Sequence, residues 1–231
     1  MLFYHVACMG NFWKGVVLEH KELIDKIDLD GVRVGVVGGS RSDVDWVRSL
    51  GFDVGFYSEN VRLFEHPTLR LLWEWCLNND DVVGYIHTKG VSQPRNIARN
   101  FWRRLMNLCI LEKYQWCWDL LKSCDCIGVN FCQVGRCKWS HYSGNFWWSK
   151  SSWIRNLPDP VEWSKREKPG DWPFPSSWSR LSAEMWLCSS NNVKGGFGWI
   201  LCRDKPFWEG RVVAKYLSTA IFSRKIPFGF I

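Results

Sequence analysis

The stretch Val32-Arg33-Val34-Gly35-Val36-Val37-Gly38-Gly39-Ser40 decides the fold. A short β-branched apolar run ends in two glycines and a hydroxyl, the pattern of a buried strand handing over to a helix. Upstream, Leu2 to Ala7 is another β-rich run and Trp13 to Ile27 has helical periodicity, so the first 37 residues read as a βαβ unit. Downstream, Ser42 and Asp43 cap a short helix to Leu50, Phe52 to Tyr57 is a third strand, and Pro67-Thr68 opens a helix to Leu77. Val82 to His87 is a fourth strand. Strands alternating with helices predict an α/β fold: one Rossmann-like domain with a mainly parallel central sheet flanked by helices. Ligands of such sheets sit beyond the carboxyl ends of the strands, which singles out the loops after residues 7, 37, 57 and 87.

Beyond residue 90 the pattern predicts a long helix from Ile97 to Lys122, strands at Cys126 to Phe131 and Tyr142 to Trp148, and a short helix from Ser149 to Asn156. Residues 158–178 hold five of the nine prolines, which makes them an ordered loop near the site. Arg180 to Cys188 is helical, Asn191 to Gly198 is a turn-rich loop, and the last 30 residues are basic and aromatic without clear periodicity. No repeat or interdomain linker interrupts the chain, so residues 1–231 read as one domain.

Composition narrows the function. At 231 residues the chain is long enough to bury about 70% of its surface. With 46% hydrophobic and 23% charged residues it lies far from the signature of disorder. Seventeen Trp, 14 Phe and 6 Tyr exceed what a core needs, and the surplus rings suit clefts that stack on sugars or bases. No run approaches 18 apolar residues, which excludes a spanning helix, and MLFYHVACMGNFW lacks the basic start of a signal peptide. Ten cysteines without an N-x-[ST] sequon read as reduced thiols in the cytoplasm. A net charge of +7 asks for an anionic partner: nucleic acid, anionic lipid or a phosphate-bearing substrate.

Three clusters carry the chemistry. In Tyr85-Ile86-His87-Thr88-Lys89-Gly90 a buried strand runs into a His, a hydroxyl, a cation and a glycine. Lys89 offers a point charge to a phosphate and Thr88 a hydroxyl, against the plainer reading of a β-turn with an exposed Lys. In His141-Tyr142-Ser143-Gly144-Asn145-Phe146-Trp147-Trp148, Asn145 suits hydroxyls, and one of the two tryptophans can face a sugar because neighbours on a strand point opposite ways. The plainer reading packs both in the core. Arg180 and Glu184 fall at i, i+4 on one helix face. They are either a structural ion pair or a general base, Glu184, with Arg180 as its partner or as a phosphate ligand.

These stretches together resemble a group of GT-A-type glycosyltransferases found among bacterial polysaccharide genes and in large algal viruses. The resemblance rests on YIHTKG at 85–90, FWRRLM at 101–106, DCIGVNF at 125–131, HYSGNFWW at 141–148 and RLSAEMWL at 180–187. FYHVA at 3–7 and FEHPTLRLLWEWC at 64–76 fit as well. It implies a GT-A-like fold with residues 1–90 as the nucleotide-binding half and 91–231 as the acceptor-side half with a C-terminal extension. It implies a hexosyl- or pentosyltransferase that moves a sugar from a nucleotide-sugar donor, a UDP-sugar, to a glycan or glycoprotein hydroxyl. The wider fold family holds a divalent metal on an Asp-x-Asp after the fourth strand; here that place reads His87-Thr88-Lys89. A literal match, Asp28-Leu29-Asp30, precedes the second strand. A fixed lysine in place of a metal implies transfer that requires no cofactor.

On that resemblance Lys89 and Glu184 are catalytic, with Glu184 the base of an inverting displacement. His87, Thr88, Lys89, Trp13, Gly38, Arg104 and Arg180 bind the donor; Asn145, Trp147, Glu65 and His141 bind the acceptor. Trp13 stacks on uracil or pins the first helix. Glu65 is an acceptor ligand or a charge on the dipole of the helix it precedes. Arg103 and Arg104 reach the diphosphate or form a solvated basic face. Three rivals stand beside this reading. One is a nucleic-acid-binding protein using Arg95 to Arg104 and Lys205 to Lys225. Another is a non-catalytic carbohydrate-binding module. The third is a zinc protein built from Cys117, Cys124, Cys126, Cys132 and Cys137, whose spacing lacks paired C-x-x-C knuckles.

Overall fold

The computed structural model describes residues 1–93, 95–132, 140–167, 178–190, 197–200 and 228–230. Part of the 158–178 and 191–198 loops, Cys137 and the Lys205 to Lys225 stretch lie outside the described residues.

In chain order the elements are β1 (Leu2–Cys8), α1 (Trp13–Ile24), β2 (Val32–Gly38), α2 (Arg41–Ser49), β3 (Asp53–Ser58), α3 (His66–Cys76) and β4 (Val82–His87). Then come α4 (Ile97–Asn107), α5 (Tyr114–Leu120), β5 (Cys126–Val129), β6 (Phe131–Cys132), β7 (His141–Tyr142) and β8 (Trp147–Lys150). The last are α6 (Ser151–Ile154), α7 (Pro160–Lys165), α8 (Trp178–Trp186), β9 (Phe197–Ile200) and β10 (Phe228–Phe230). The main sheet runs β10-β9-β5-β8-β4-β1-β2-β3. Strands β4, β1, β2 and β3 are parallel, β5 and β9 are parallel, and β8 is antiparallel to both β4 and β5 between which it lies. The expected α/β architecture with a mainly parallel sheet is therefore present.

Alternation along the strands builds two cores. Leu2, Tyr4, Val6, Ile86 and Trp148 face a layer of α1, α2, α4 and α5, where Val16, Val47, Leu105 and Cys117 cover them. Phe3, Val83, Tyr85 and Trp147 face the opposite layer of α3, α6, α7 and α8, with Leu69, Trp153, Trp163 and Trp186. The pleat thus sends the side chains of His5 and His87 to the α3 and α8 side, which is where the candidate site forms.

Four boundaries differ from expectation for identifiable reasons. The cap of α2 is Ser40, whose side chain accepts from the Asp43 N–H while Asp43 reaches back to the Ser40 N–H, a reciprocal capping box. The expected helix Ile97 to Lys122 is α4, a π-helical turn over Leu108–Glu112, and α5. The Lys113 N–H bonds back five residues to Leu108, and the Ile110 carbonyl accepts instead from the Trp148 indole at 2.8 Å. Strand β5 stops at Val129 because Asn130 takes φ 52°, which sends Phe131 into a separate two-stranded sheet with Tyr142. The expected strand Tyr142 to Trp148 is broken by Gly144 at φ 94° and Asn145 at φ 57°. A Cβ on Gly144 would lie 2.5 Å from Met106 Sδ and 2.6 Å from Trp102 Nε1, so the turn admits only glycine there.

Candidate active site

Where β4 ends, His87 points into the α3 and α8 layer and the chain turns sharply. The Lys89 N–H donates to the His87 carbonyl at 2.7 Å. Thr88 latches this turn to β1: its hydroxyl accepts from the Ala7 N–H at 2.9 Å and its own N–H donates to the His5 carbonyl at 3.0 Å. Lys89 is thereby aimed across the sheet edge, and its ammonium lies 3.3 Å from Glu184 Oε1 on α8. The Gly144 N–H approaches Glu184 Oε2 at 3.4 Å. Lys89 and Glu184 remain 22% and 17% exposed, so the pair can be reached from solvent. Burial raises the Glu184 carboxyl pKa, but Lys89, His141, His87 and the Gly144 N–H outweigh it and hold the group down at about 2.

Behind this pair lies a closed polar cluster. Glu65 Oε2 accepts from the Tyr85 hydroxyl at 3.0 Å and from Asn145 Nδ2 at 2.7 Å, while Glu65 Oε1 lies 3.5 Å from His87 Nδ1. His87 Nε2 donates to the Gly144 carbonyl at 2.9 Å, which fixes the proton on that nitrogen because a carbonyl only accepts. Burial, with Lys89 adding to it, pushes the His87 pKa down to about 3. His5 sits opposite His87 in the β1–β4 register and bonds Thr68 at 2.9 Å; burial holds it at about 3 as well. Among the described residues, two of the three non-glycine residues with positive φ border the cluster: Phe64 at φ 51° and ψ −139°, immediately before Glu65, and Asn145. Each costs about 1–3 kcal/mol, a strain that the bonds to Glu65 keep in place.

The structure brings together Lys89, Glu184, His87, Glu65, Asn145 and His141, drawn from four separate segments, and gives several of them roles other than those expected. Asn145 is buried with both amide hydrogens used: Nδ2 donates to Glu65 and to the Ala183 carbonyl, and Oδ1 accepts from Trp147 Nε1 at 2.8 Å, so the side chain is turned into the protein rather than toward an acceptor hydroxyl. Trp147 and Trp148 are both fully buried, one in each core; Trp147 stacks on Tyr85 at 5.4 Å and offers no face to a sugar. Trp13 takes the pinning role, edge-on to Trp46 at 5.3 Å with the Lys14 ammonium over both rings. His87 and Thr88 are turned inward on protein partners rather than toward a donor. Glu65 occupies the N-cap position of α3 without capping it, and gathers the cluster instead.

Arg180 is exposed one turn before Glu184, whose ion-pair partner among the described residues is Lys89. Gly38 is buried against β1 at φ 74°, and a Cβ there would lie 3.1 Å from the Cys8 carbonyl, so the position serves strand packing. Asp28 and Asp30 line a shallow pocket with Met1, Asp81 and Trp118 at the amino end of the sheet, the opposite end from Lys89.

Of the adjacent arginines expected at the diphosphate, Arg104 is exposed, whereas Arg103 is 2% exposed and braces the Lys89 turn. It donates to the Lys89 carbonyl at 3.2 Å, to Asn100 at 3.0 Å and to Glu19 at 3.0 Å. The signal for this was the position of Arg103 within the apolar pattern Trp102-x-x-Leu105-Met106. Arg103→Met is expected to destabilise the fold by about 3 kcal/mol, the low end for a broken buried pair because Glu19 keeps 29% exposure. For a chain of this size that is a fall in melting temperature of about 6–12 °C, measurable by calorimetry.

The fold and site define an α/β protein with a solvent-reachable lysine–glutamate pair at the carboxyl edge of a mainly parallel sheet. The chain belongs to the family described as a domain of unknown function, DUF8361, whose model matches residues 52–195 and so takes in Glu65, His87, Lys89, Asn145 and Glu184. No curated protein and no solved structure matches the chain.

Proposed function

We propose that the protein is a glycosyltransferase that moves a sugar from a nucleotide-sugar donor to a glycan hydroxyl with inversion. The observation that carries the reading is the Lys89–Glu184 pair, a fixed cation and an ionised carboxylate 3.3 Å apart at the strand end where such sheets bind ligands. The ordered motifs that resemble GT-A enzymes support it.

In this reading the donor diphosphate takes Lys89 as its counterion. Glu184 then loses the partner that holds its pKa low and becomes basic enough to accept a proton. As the acceptor oxygen bonds to the anomeric carbon, its proton passes to Glu184. The bond from that carbon to the phosphate oxygen breaks, and the nucleoside diphosphate leaves with its new negative charge facing Lys89. The closed cluster acts by positioning: His87 holds the Gly144 peptide through its carbonyl, and the same residue's N–H points at Glu184. Arg180 and His141 flank the pair as further donor and acceptor contacts. Lys89 supplies the charge that a divalent ion supplies elsewhere in the fold family, so no cofactor is required. Among the described residues no helix is long and apolar enough to cross a membrane. Cys8, Cys76, Cys109, Cys117, Cys126 and Cys188 are free thiols, which suits a cytoplasmic enzyme.

The test is thermal stabilisation by a panel of nucleoside diphosphates and sugar nucleotides, in EDTA and in Mn²⁺. A ligand at 100 times its dissociation constant adds about 2.7 kcal/mol, or roughly 5–10 °C here. Selective stabilisation by one nucleotide in EDTA, lost in Lys89→Ala, is the expected result. Stabilisation only with Mn²⁺ would overturn the role of the lysine, and no response to any nucleotide would overturn the donor site itself.

A further inference from the structure

Between Gly90 and Leu111 the chain carries four arginines, Arg95, Arg99, Arg103 and Arg104, and no acidic residue. Helix α4 buries Trp102, Arg103, Leu105 and Met106, which leaves Ile97 71% and Phe101 44% exposed. Positions 97, 101 and 104 fall on one helical stripe, so exposed Arg104 flanks the two apolar side chains, with exposed Arg95 just before the helix. Helix α4 also packs against the Lys89–Gly90 turn, through Arg99, Asn100 and Arg103, so the exposed face belongs to the same helix that supports the candidate site.

We propose that this face of α4 docks on the surface of an anionic bilayer, with Ile97 and Phe101 at the headgroup–acyl boundary and Arg95 and Arg104 on lipid phosphates. Charge complementarity selects an anionic partner, and the apolar side chains select lipid over a polyanion. A nucleic acid would pair with the arginines but gain little from an exposed isoleucine. At 11 residues α4 is about 16 Å long, so it lies in the interface and does not span it. A surface bound this way would present acceptors carried on it to the neighbouring site, although the docking itself does not depend on sugar transfer.

The experiment is co-sedimentation of the full chain with phosphatidylcholine vesicles, with or without 30 mol% phosphatidylglycerol, at 0.1 and 0.5 M NaCl. Binding is expected only to the anionic vesicles at low salt. It should weaken at least tenfold in Ile97→Ser/Phe101→Ser and roughly 25-fold in Arg95→Gln/Arg104→Gln, at about fivefold per arginine. Both variants alter exposed side chains, and an unchanged melting temperature would confirm that they fold. No binding to anionic vesicles overturns the proposal. So does binding that the apolar double variant leaves unchanged, or that a DNA duplex competes away at equal charge, since either would make the face a general polyanion site.

Discussion

Glu184→Gln is expected to lower turnover by about 10²–10⁴-fold, the usual contribution of a positioned general base, while the protein stays folded and still binds nucleotide. Gln keeps the shape and still accepts the Gly144 N–H, so what is removed is the charge beside Lys89 and the capacity to take a proton. The pH dependence separates this role from a structural one. In the free protein the carboxyl is held at about 2, so the carboxylate is already ionised across the neutral range and free enzyme shows no ascending limb from it. Once a diphosphate engages Lys89, its pKa rises. Nucleotide binding near pH 5 should therefore take up part of a proton, measurable by titration calorimetry in buffers of different ionisation enthalpy. That uptake should vanish in Glu184→Gln. Nucleotide binding with no such difference, or full activity in the variant, would remove Glu184 as the base.

Acid should unfold this protein early, near pH 4–5, with uptake of about three protons. His5, His20 and His87 are buried and held down at about 3, in each case chiefly by burial, and burial lowers His66 too. The unfolded chain binds protons on these groups below pH 6.5 while the native state refuses them. Stability is therefore complete above that value and falls as pH drops toward 3. Each excess proton costs about 1.4 kcal/mol per pH unit, so three cost about 4, enough to exhaust a total of 5–15 kcal/mol within a few units. Glu184 adds to the same slope: its contribution is present above about 4.5 and is lost as pH falls through 2. A midpoint below pH 3, or a transition taking up fewer than two protons, would show that these imidazoles are not held neutral.

The strands were the most legible part of the molecule. Strands β1, β2 and β4 fall within one residue of expectation because a strand buried on both faces reads as an unbroken apolar run between turns. The π turn was not legible: it depends on an indole 38 residues away taking the Ile110 carbonyl, and no local pattern records that. The break in the expected Tyr142 to Trp148 strand is written in Gly144-Asn145, a pair whose composition suits a turn as well as a ligand contact. Lys89 and Glu184 each stood out as a charged residue at a strand end or on a helix face. Their pairing did not, since 95 residues separate them. Asn145 and Trp147 differ from expectation for one reason: a carboxamide beside aromatics has the same composition whether it binds a sugar or, as here, ties Glu65, Trp147 and α8 together.

The placement of β8 has a consequence for how the chain is made. Strand β4 gains its outer neighbour only when Trp147 to Lys150 arrive, and β5 joins the sheet through that same strand. At 5–20 residues per second the ribosome needs roughly 3–12 s to add the approximately 60 residues between them. Throughout that interval the nascent chain carries Val82 to His87 with one row of backbone groups unpaired, a template for association with a neighbouring copy. The two adjacent tryptophans that end this exposure drive their rings into opposite cores at once, so the step that closes the sheet also locks its two layers together.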